Sequence, residues 1–423
     1  MTTFLGAEAI LEKRKSYFYP CTAHFYKNPP QFVRGEMQYL FDESGKTYTD
    51  FFSGVSVVAC GHCNPVITEA TRKQLETLQH TCNIYLTEPN VELAEKMAEV
   101  LPGDLNRTFF VNSGSEANEG ALTLARFATG KKEFIAFEYG LHGRTFLTMS
   151  VTGIPMWRSD NYLDEGVTFI PRPFDLKLGE EEAAKRSLDA LRKVLEEKGD
   201  QIAAMIAEPI QGNGGIISPP LWYFQQAKKL LEAYNVLLII DEVQTGFGRT
   251  GKMFAIEHYG IVPDIMTMAK ALGNGIPIAA FATTDEIAAH YNRPSASTLG
   301  GNPVSAVTAL AVLSYIQNEN LVERASKLGN MFQKGLRELQ TMFTAISDVR
   351  GKGLMIACEL HAEDPDRGAL LVDKILEEMK ERGFIIGKNG IGRNVIAFQP
   401  PLIITEQNIT EMLDALKQSF QSK

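Results

Sequence analysis

The strongest constraint in this 423-residue chain is a series of short apolar runs, each ending at a polar residue or glycine. Continuous apolar runs of this kind are typical of strands that are buried on both faces of a parallel sheet. The stretches between them, such as 191–197 and 221–234, have the amphipathic spacing of helices. The order predicts an α/β fold with a doubly wound, mostly parallel sheet and strands at 107–111, 133–137, 202–207, 236–240, 264–268 and 278–282.

The segments on either side of this central region have a different pattern. A hairpin is predicted near the N-terminus, with a strand at 39–42 and a glycine-containing turn at 43–46. After Pro303, an apolar helix at 304–316 and a charged helix at 321–339 precede a strand at 354–360. We therefore expect a smaller α+β domain beside the main sheet.

Charge and hydropathy narrow the class of partner. The chain has 42 basic and 51 acidic residues, and its net charge of −9 with no basic block argues against a nucleic-acid or anionic-membrane surface. No window reaches the length of a membrane span, and residues 1–15 have no signal-peptide core. Five cysteines, an odd number, do not suggest a disulfide framework. These features predict a cytoplasmic protein with small-molecule partners.

The polar residues that follow the predicted strands indicate a binding site, because ligands of open α/β sheets lie outside the carboxyl ends of the strands. A loop of small residues before a helix offers N–H groups to a phosphate, and a carboxylate can pair with a protonated ring nitrogen. A desolvated lysine is nucleophilic toward an aldehyde. Together they indicate a phosphorylated nitrogen-heterocyclic cofactor held by Ser113, Gly114, Ser115, Glu208, Asp241 and Lys270.

Each of these residue types also has an ordinary structural explanation. Ser113 and Glu116 fit helix capping, and Asp241 could form a structural salt bridge with an arginine. Lys270 could extend its ammonium group to the surface. The cysteines and histidine in 60–63 lack a second ligand pair at zinc-site spacing, so we predict no metal.

Several motifs occur in an order that resembles the class III aminotransferases, which are pyridoxal-phosphate enzymes of fold type I. The resemblance covers nearly the whole chain, and within the class the chain most resembles the alanine–glyoxylate aminotransferase-2 branch. It implies a large cofactor-binding domain at 61–318 and a small α+β domain formed by 1–60 and 319–423. The motifs are Gly61-His62-Cys63-Asn64-Pro65, Ser113-Gly114-Ser115-Glu116-Ala117-Asn118, His142-Gly143-Arg144-Thr145, Glu208-Pro209-Ile210-Gln211-Gly212, 241–251, Ala269-Lys270 and 298–303.

The resemblance implies that pyridoxal 5′-phosphate is the cofactor and that Lys270 forms a Schiff base with its aldehyde. It also implies that Asp241 pairs with the pyridinium nitrogen and that Gln244 approaches the ring hydroxyl. Members of the family share the site across a homodimer, so one subunit would contribute Thr298 to the phosphate site of its neighbour. The implied cofactor-binding set is Ser113, Gly114, Ser115, Leu141, His142, Glu208, Asp241, Gln244, Lys270 and Thr298.

Two departures from the family pattern affect the expected function. Leu141 stands where the family usually has an aromatic residue that stacks on the cofactor ring, so stacking is weaker or comes from Tyr139. Ala397 stands where the family normally has an arginine that binds the substrate carboxylate. Alanine cannot make the bidentate contact of a guanidinium group. Substitutes for that arginine are Arg393, Lys388 and Arg249.

Two enzymatic reactions are consistent with these residues. The first is transfer of an amino group from a primary amine to a keto acid, which is the commoner reaction in this family. The alternative, favoured by Ala397, is a lyase that eliminates ammonia or phosphate from a small amino phosphonate or amino phosphate, such as hydroxylated aminoethylphosphonate or phosphoethanolamine. A binding protein without catalysis would be expected to lack Lys270 or Asp241, and both are present.

Overall fold

A seven-stranded sheet forms the centre of the protein. The computed structural model describes residues 4–421. Six of the strands run in the same direction, whereas Ala279–Thr283 is antiparallel to both of its neighbours. The strands in spatial order are Arg107–Val111, Ala279–Thr283, Ile265–Met268, Leu237–Asp241, Ile202–Ala207, Glu133–Phe137 and Val167–Ile170.

The sheet is buried on both faces, as the continuous apolar runs predict. Every residue of Ile202–Ala207 is buried. Met205 and Ala207 belong to one apolar core, whereas Ala204 and Ile206 belong to another. Since successive side chains of a strand point to opposite faces, a strand between two cores must be apolar throughout.

Helices cover the two faces. Gly114–Thr129 packs against Ala279–Thr283 and Ile265–Met268 on one side. Glu180–Lys198 and Tyr223–Glu232 contribute apolar residues to the core on the other side. The expected α/β fold with a doubly wound, mostly parallel sheet is therefore confirmed.

The six predicted strands are confirmed to within one residue at each end. One difference bears on the site, because Asp241 is the last residue of its strand rather than the first residue after it. The seventh strand, Val167–Ile170, was not predicted. It has four residues, of which only Ile170 is buried, so its apolar signal is weak.

Two smaller sheets lie outside the central one. The hairpin predicted at 39–46 is confirmed, and the sheet that contains it also includes a strand from the other end of the chain, Phe384–Ile385. The domain boundaries at 60 and 318 stay a prediction. The strands of the first small sheet are Phe32–Glu36, Tyr39–Asp42, Thr47–Asp50 and Phe384–Ile385, and those of the second are Ile346–Lys352, Met355–Leu360, Val395–Phe398 and Gly387–Asn389.

Several helices begin at side-chain caps. Asn302 caps the helix that starts at Pro303, and its side chain accepts a hydrogen bond from the Ser305 N–H group. The α-helices are Ala7–Tyr17, Pro65–Thr77, Glu88–Val100, Gly114–Thr129, Phe146–Ser150, Glu180–Lys198, Tyr223–Glu232, Asp285–Ala288, Pro303–Asn318, Leu321–Met342, Pro365–Glu381 and Glu406–Gln421, and the 3₁₀ helices are Pro155–Trp157, Ala255–Tyr259 and Lys270–Gly273.

Within residues 4–421, no helix is both long and apolar enough to cross a membrane.

Candidate active site

A cavity of about 680 Å³ lies at the carboxyl edge of the central sheet. It opens where Asp241 ends one strand and where Lys270 follows the next. Strands of a parallel sheet end at the same edge, so residues distant in sequence meet there. Of the residues predicted from the sequence, those that line the cavity are Ser113, Gly114, Ser115, Leu141, His142, Asp241, Lys270 and Arg393.

The small-residue loop places the start of a helix against the cavity. Ser113 is the N-cap of Gly114–Thr129, and its hydroxyl accepts a hydrogen bond of 3.2 Å from the Glu116 N–H group. The first N–H groups of a helix have no partner within the helix and favour an anion. A side chain at Gly114 would come within 2.9 Å of Val243, so glycine is needed for this approach.

The Asp241 carboxylate is buried and held by three hydrogen-bond donors. Its Oδ2 atom accepts from His142 Nδ1 at 2.8 Å and from Asn118 Nδ2 at 2.7 Å, and its Oδ1 atom accepts from the Val243 N–H group at 3.0 Å. The Thr267 hydroxyl donates to Asn118 Oδ1 at 2.6 Å, which orients the amide so that its NH₂ group faces Asp241.

These donors replace the arginine that a structural salt bridge would need. Among residues 4–421, no arginine or lysine nitrogen lies within 4.0 Å of the Asp241 carboxylate. That alternative from the sequence is therefore wrong. Oδ1 accepts a single hydrogen bond in the structure, so it has capacity for a cationic donor in the cavity.

Lys270 is the first residue of the 3₁₀ helix Lys270–Gly273 and has a positive φ of 47°. In the described part of the chain, no carboxylate oxygen lies within 4.0 Å of its Nζ atom. Burial lowers the pKa of Lys270, while the charges of Asp241 and Glu208 act in the opposite direction. A lysine with a lowered pKa and no ion-pair partner is suited to act as a nucleophile and to transfer a proton.

Glu208 lies behind the cavity wall rather than in it. Its Oε1 atom accepts a hydrogen bond of 2.9 Å from the Leu141 N–H group, and its Oε2 atom accepts one of 2.8 Å from the Gly212 N–H group. Burial raises the pKa of Glu208 to about 7. Glu208 thus connects two loops that carry the cavity-lining residues Leu141 and Asn213.

Two further predicted residues lie outside the cavity of their own chain. Gln244 is buried, and its Nε2 atom donates to Gln399 Oε1 at 3.2 Å. Its Oε1 atom lies 1.6 Å from the position of a Cβ atom on Gly212, so a side chain at Gly212 would displace the Gln244 amide group. Thr298 is exposed on the surface. The cofactor contacts expected of both residues stay predictions.

Tyr139 does not face the cavity. Its ring packs against the Arg172 guanidinium group, whose central carbon lies 5.0 Å from the ring centroid. A positive φ of 63° at Tyr139 accompanies the turn that separates it from Leu141, which does line the cavity. The expectation that Tyr139 replaces the missing aromatic residue is therefore wrong.

Ala397 is fully buried and provides no polar contact. It lies in the strand Val395–Phe398, directly opposite Ala357 on one side and Gly387 on the other. Its surroundings form an apolar cluster that includes Phe52. An ionised side chain at this position would be buried among apolar groups at a high free-energy cost.

Of the three basic residues considered as substitutes for the arginine at this position, only Arg393 lines the cavity. Arg249 is fully buried and donates to the carbonyl oxygens of Leu354 and Pro400. Lys388 is buried and forms an ion pair of 2.5 Å with Asp373. Arg249 and Lys388 are therefore excluded as direct substrate contacts.

Arg393 has the contacts of a cation that is available for a ligand. Its guanidinium carbon lies 5.3 Å from the centroid of the Phe25 ring. Within residues 4–421, no carboxylate oxygen lies within 4.0 Å of its side-chain nitrogens. A positive φ of 57° accompanies the turn in which it follows Gly390–Gly392. Burial lowers its pKa, although a guanidinium group stays charged at neutral pH.

Sequence reasoning missed the apolar wall of the cavity. Phe25, Phe52, Val55 and Trp157 line it, and they come from segments that carry no recognisable catalytic pattern. It also missed Asn118, although this residue lies in the same motif as Ser113. The hydrogen bond from Asn118 to Asp241 joins positions 123 residues apart, so local sequence does not reveal it.

The residues present fit a phosphorylated pyridine aldehyde. The helix start at Gly114 suits the phosphate, Asp241 Oδ1 suits a protonated ring nitrogen, and Lys270 suits the aldehyde. His142 Nε2 is buried without a hydrogen-bond partner, as expected for an atom beside a ligand site.

Comparison with known proteins agrees with this chemistry. The family model for class III aminotransferases matches residues 23–420. The chain is 40% identical to the Arabidopsis thaliana protein named alanine–glyoxylate aminotransferase 2 homolog 2, mitochondrial, over 98% of this chain and 88% of that protein.

Two solved structures are similar over almost the whole chain. The Toxoplasma gondii ornithine aminotransferase, described with partial occupancy of pyridoxal phosphate at its active site, has a TM-score of 0.87 and 29% identity, with 98% of this chain and 94% of that chain covered. An Arthrobacter phospholyase in complex with phosphoethanolamine has a TM-score of 0.91 and 31% identity, with 98% and 100% covered. The chain therefore belongs to the class III aminotransferases, a family of pyridoxal-phosphate enzymes.

Proposed function

We propose that this enzyme is an aminotransferase that acts on a small primary amine carrying an anionic group and passes the amino group to an oxo acid. The observation that carries this proposal is that Lys270, Asp241 and Arg393, which has no carboxylate partner among residues 4–421, line one cavity. The Arabidopsis relative is itself named an aminotransferase. When bound, pyridoxal phosphate supplies an electron sink for negative charge on the amine-bearing carbon.

The proposed roles of the chain's own residues follow from their contacts. Lys270 removes a proton from the amine-bearing carbon and then donates it to another atom. It can do so because burial lowers the pKa of its amino group. Asp241 holds a proton on the ring nitrogen through its free Oδ1 capacity. Ser113, Gly114 and Ser115 bind the phosphate at the start of their helix.

Arg393 is proposed to bind the anionic group of the substrate. It takes this role because position 397 is apolar, while the Arg393 guanidinium group faces the cavity over the Phe25 ring. A guanidinium group can donate two parallel hydrogen bonds to a carboxylate, phosphate or phosphonate. The apolar and aromatic residues that line the same cavity favour a carbon spacer between amine and anion.

A lyase is the second candidate, and two observations favour it. Ala397 leaves no arginine at the family's carboxylate position. The Arthrobacter structure, at 31% identity, is a phospholyase in complex with phosphoethanolamine. The same proton removal by Lys270 then leads to loss of a leaving group on the adjacent carbon, and no oxo acid is needed.

We also propose a homodimer whose sites lie near the subunit interface. The helix Ala7–Tyr17 buries none of its residues within the chain. Leu86 is fully exposed, and Ile84 and Tyr85 beside it are 70% and 63% exposed. A contiguous apolar surface of this kind is typical of an interface. Thr298 is exposed as well, as needed for a contact with the neighbouring site.

Product analysis without an oxo acid distinguishes the two reactions. The holoenzyme is mixed with L-alanine, 2-aminoethylphosphonate, its 1-hydroxy derivative and phosphoethanolamine, and carbonyl product, ammonia and phosphate are measured. An aminotransferase stops after one equivalent of carbonyl product per site, because the amino group stays on the cofactor. A lyase continues and releases many equivalents of ammonia or phosphate. If none of these amines gave carbonyl product, ammonia or phosphate, both assignments would be contradicted for these substrates.

Substitution of Arg393 tests the anion site. Charge-assisted hydrogen bonds contribute about 1.5–3 kcal/mol, so Arg393→Ala is expected to raise KM for an anionic amine by roughly tenfold or more. KM for a neutral amine such as 1-aminopropane should change far less. Arg144, an exposed cation at the same cavity, provides the comparison. A larger KM effect in Arg144→Ala than in Arg393→Ala would place the anion at Arg144.

The pKa of Glu208 predicts a pH dependence. Below about pH 7 the carboxyl group takes up a proton and loses one of its two acceptor contacts with Leu141 and Gly212. We expect kcat/KM to fall as the pH decreases through 7, with a midpoint set by Glu208. Folding stability changes in the opposite direction, because the folded state binds this proton more tightly than the unfolded state. Stability therefore decreases as pH rises toward 7.

Glu242 provides the matched control for this pH dependence. Burial raises its pKa to about 7 too, and although it lies between Asp241 and Val243, it accepts hydrogen bonds from Ile256 and Thr245, which do not line the cavity. In the variant Glu208→Gln, which should stay weakly active, kcat/KM should no longer fall as the pH decreases through 7. In Glu242→Gln this fall should remain. An unchanged pH profile of kcat/KM in Glu208→Gln would contradict the assignment.

Subunit mixing tests the shared site. Lys270→Ala and Thr298→Asp should each be nearly inactive alone, the second because a carboxylate repels the cofactor phosphate. After exchange of subunits, half of the dimers are mixed and each has one intact site, so activity should recover to roughly a quarter of the wild-type value. No recovery in mixtures shown to contain the mixed dimer would contradict a contribution of Thr298 across the interface.

A further inference from the structure

Four consecutive residues beside the cavity have left-handed backbone angles. The φ angles of Ser53, Gly54, Val55 and Ser56 are 53°, 60°, 70° and 61°. This conformation costs about 1–2 kcal/mol for each residue with a side chain, and it is especially unfavourable for a β-branched residue such as Val55. Surrounding contacts must therefore hold the turn in place.

The Asp50 side chain provides the central contact. Asp50 ends the strand Thr47–Asp50 and is 1% exposed. Its Oδ1 atom accepts hydrogen bonds from the N–H groups of Phe52 and Ser53, both at 2.8 Å, at the point where the left-handed turn begins. Its Oδ2 atom accepts from His62 Nε2 at 2.7 Å. His62 thus orients the carboxylate through Oδ2, while Oδ1 binds the start of the turn.

The turn is attached to the C-terminal part of the chain as well. The Ser53 hydroxyl donates to the Gln399 carbonyl oxygen at 2.7 Å, and the Gln399 N–H group donates to the Phe51 carbonyl oxygen at 2.7 Å. The start of the turn is therefore held by the Asp50 carboxylate and the Ser53 hydroxyl together with a backbone hydrogen bond.

The turn places two apolar side chains in the cavity. Phe52 and Val55 both line it, although Asp50 itself does not. The Phe52 ring lies 6.0 Å from the Phe25 ring, centroid to centroid, and Phe25 in turn lies beneath the Arg393 guanidinium group. Contacts therefore run continuously from Asp50 through the aromatic pair to Arg393.

The position of Phe52 leaves little room for adjustment. A Cβ atom on Gly387 would come within 2.0 Å of the Phe52 ring, so the ring lies directly on the backbone of the strand Gly387–Asn389. Gly387 is paired with Ala397 in that sheet. A displaced turn would thus move Phe52 out of a closely packed position, and the substrate side of the cavity would change shape.

We propose that Asp50 is a positioning residue for substrate binding. By accepting hydrogen bonds from the Phe52 and Ser53 N–H groups, it stabilises the left-handed turn. That turn positions the apolar wall of the cavity, and the carbon spacer of the substrate packs against that wall. It makes no contact with the reacting atoms. The proposal rests on the proposed function in one respect, namely that the amine substrate lies between Lys270 and Arg393.

Asp50→Ala tests the proposal, with Asp42→Ala as the matched control. Asp42 is also a buried carboxylate, and it accepts hydrogen bonds from the backbone N–H groups of Ser44 and Lys46. It lies at the hairpin turn, away from the cavity. With 2-aminoethylphosphonate and L-alanine as probes, Asp50→Ala is expected to raise KM roughly tenfold or more while kcat changes less, because misplaced binding groups weaken substrate positioning. Asp42→Ala should lower thermal stability without raising KM.

Asp50→Asn distinguishes the loss of the two hydrogen bonds to the turn from a general loss of packing at position 50. Its amide oxygen can still accept from Phe52 and Ser53, so KM should stay within about threefold of the wild-type value. In Asp50→Ala, an added Ser56→Gly substitution removes a side chain from the left-handed region and should restore part of the lost affinity. Equal KM changes in Asp50→Ala and Asp42→Ala would overturn the proposal, as would an Asp50→Asn variant as impaired as Asp50→Ala.

A structural measurement keeps the test independent of the reaction. The crystal structure of the Asp50→Ala holoenzyme should show residues 53–56 outside the left-handed region and Phe52 displaced from Gly387. If residues 53–56 keep their conformation in this variant, the proposal is overturned even when none of the amines is a substrate. If these residues are displaced and none of the amines is a substrate, only the proposed function is contradicted. Should Asp50→Ala fail to fold, Asp50→Glu carries the same measurements, since it keeps the charge but displaces both acceptor oxygens.

Discussion

The proposed chemistry of this protein depends on a carboxylate that is buried and held by hydrogen bonds. Asp241 lies at the end of a strand between two apolar cores, where an unpaired charge costs several kcal/mol. His142, Asn118 and Val243 offset that cost with three hydrogen bonds, none of which requires an arginine or lysine. The Asp241 carboxylate therefore has no arginine or lysine partner among residues 4–421, and the proposed cofactor site is organised around it.

A second constraint is the loss of the family's usual anion contact. Position 397 belongs to an apolar cluster that includes Phe52, so we propose that the substrate anion binds elsewhere. Arg393, which has no carboxylate partner among residues 4–421, lines the cavity and is the cation that we propose for this contact. The aromatic pair Phe25 and Phe52 connects that cation to the left-handed turn and to Asp50. The Arg393 guanidinium group and the strained left-handed turn are thus connected through the two aromatic rings.

Much of the fold and part of the site could be predicted from local pattern. Continuous apolar runs located six of the seven central strands, and Val167–Ile170 escaped because a single one of its residues is buried. Lys270 and Asp241 stood out because charged residues directly at the ends of apolar strands are unusual. The role considered for Tyr139 was wrong, since a left-handed turn points its ring toward Arg172, and sequence spacing does not encode that direction.

The sequence by itself predicted six of the seven central strands, the small-residue loop, the lysine and carboxylate at the sheet edge, and the family to which the chain belongs. These features depend on periodicity and on short motifs, which are local properties of the chain. Only the tertiary structure decided that Arg393 faces the cavity while Arg249 and Lys388 do not, and that Asp50 accepts hydrogen bonds from the N–H groups of Phe52 and Ser53 beside the cavity wall. Those outcomes depend on contacts between segments that are far apart in sequence, where burial and hydrogen bonding select among residues of equal chemical type.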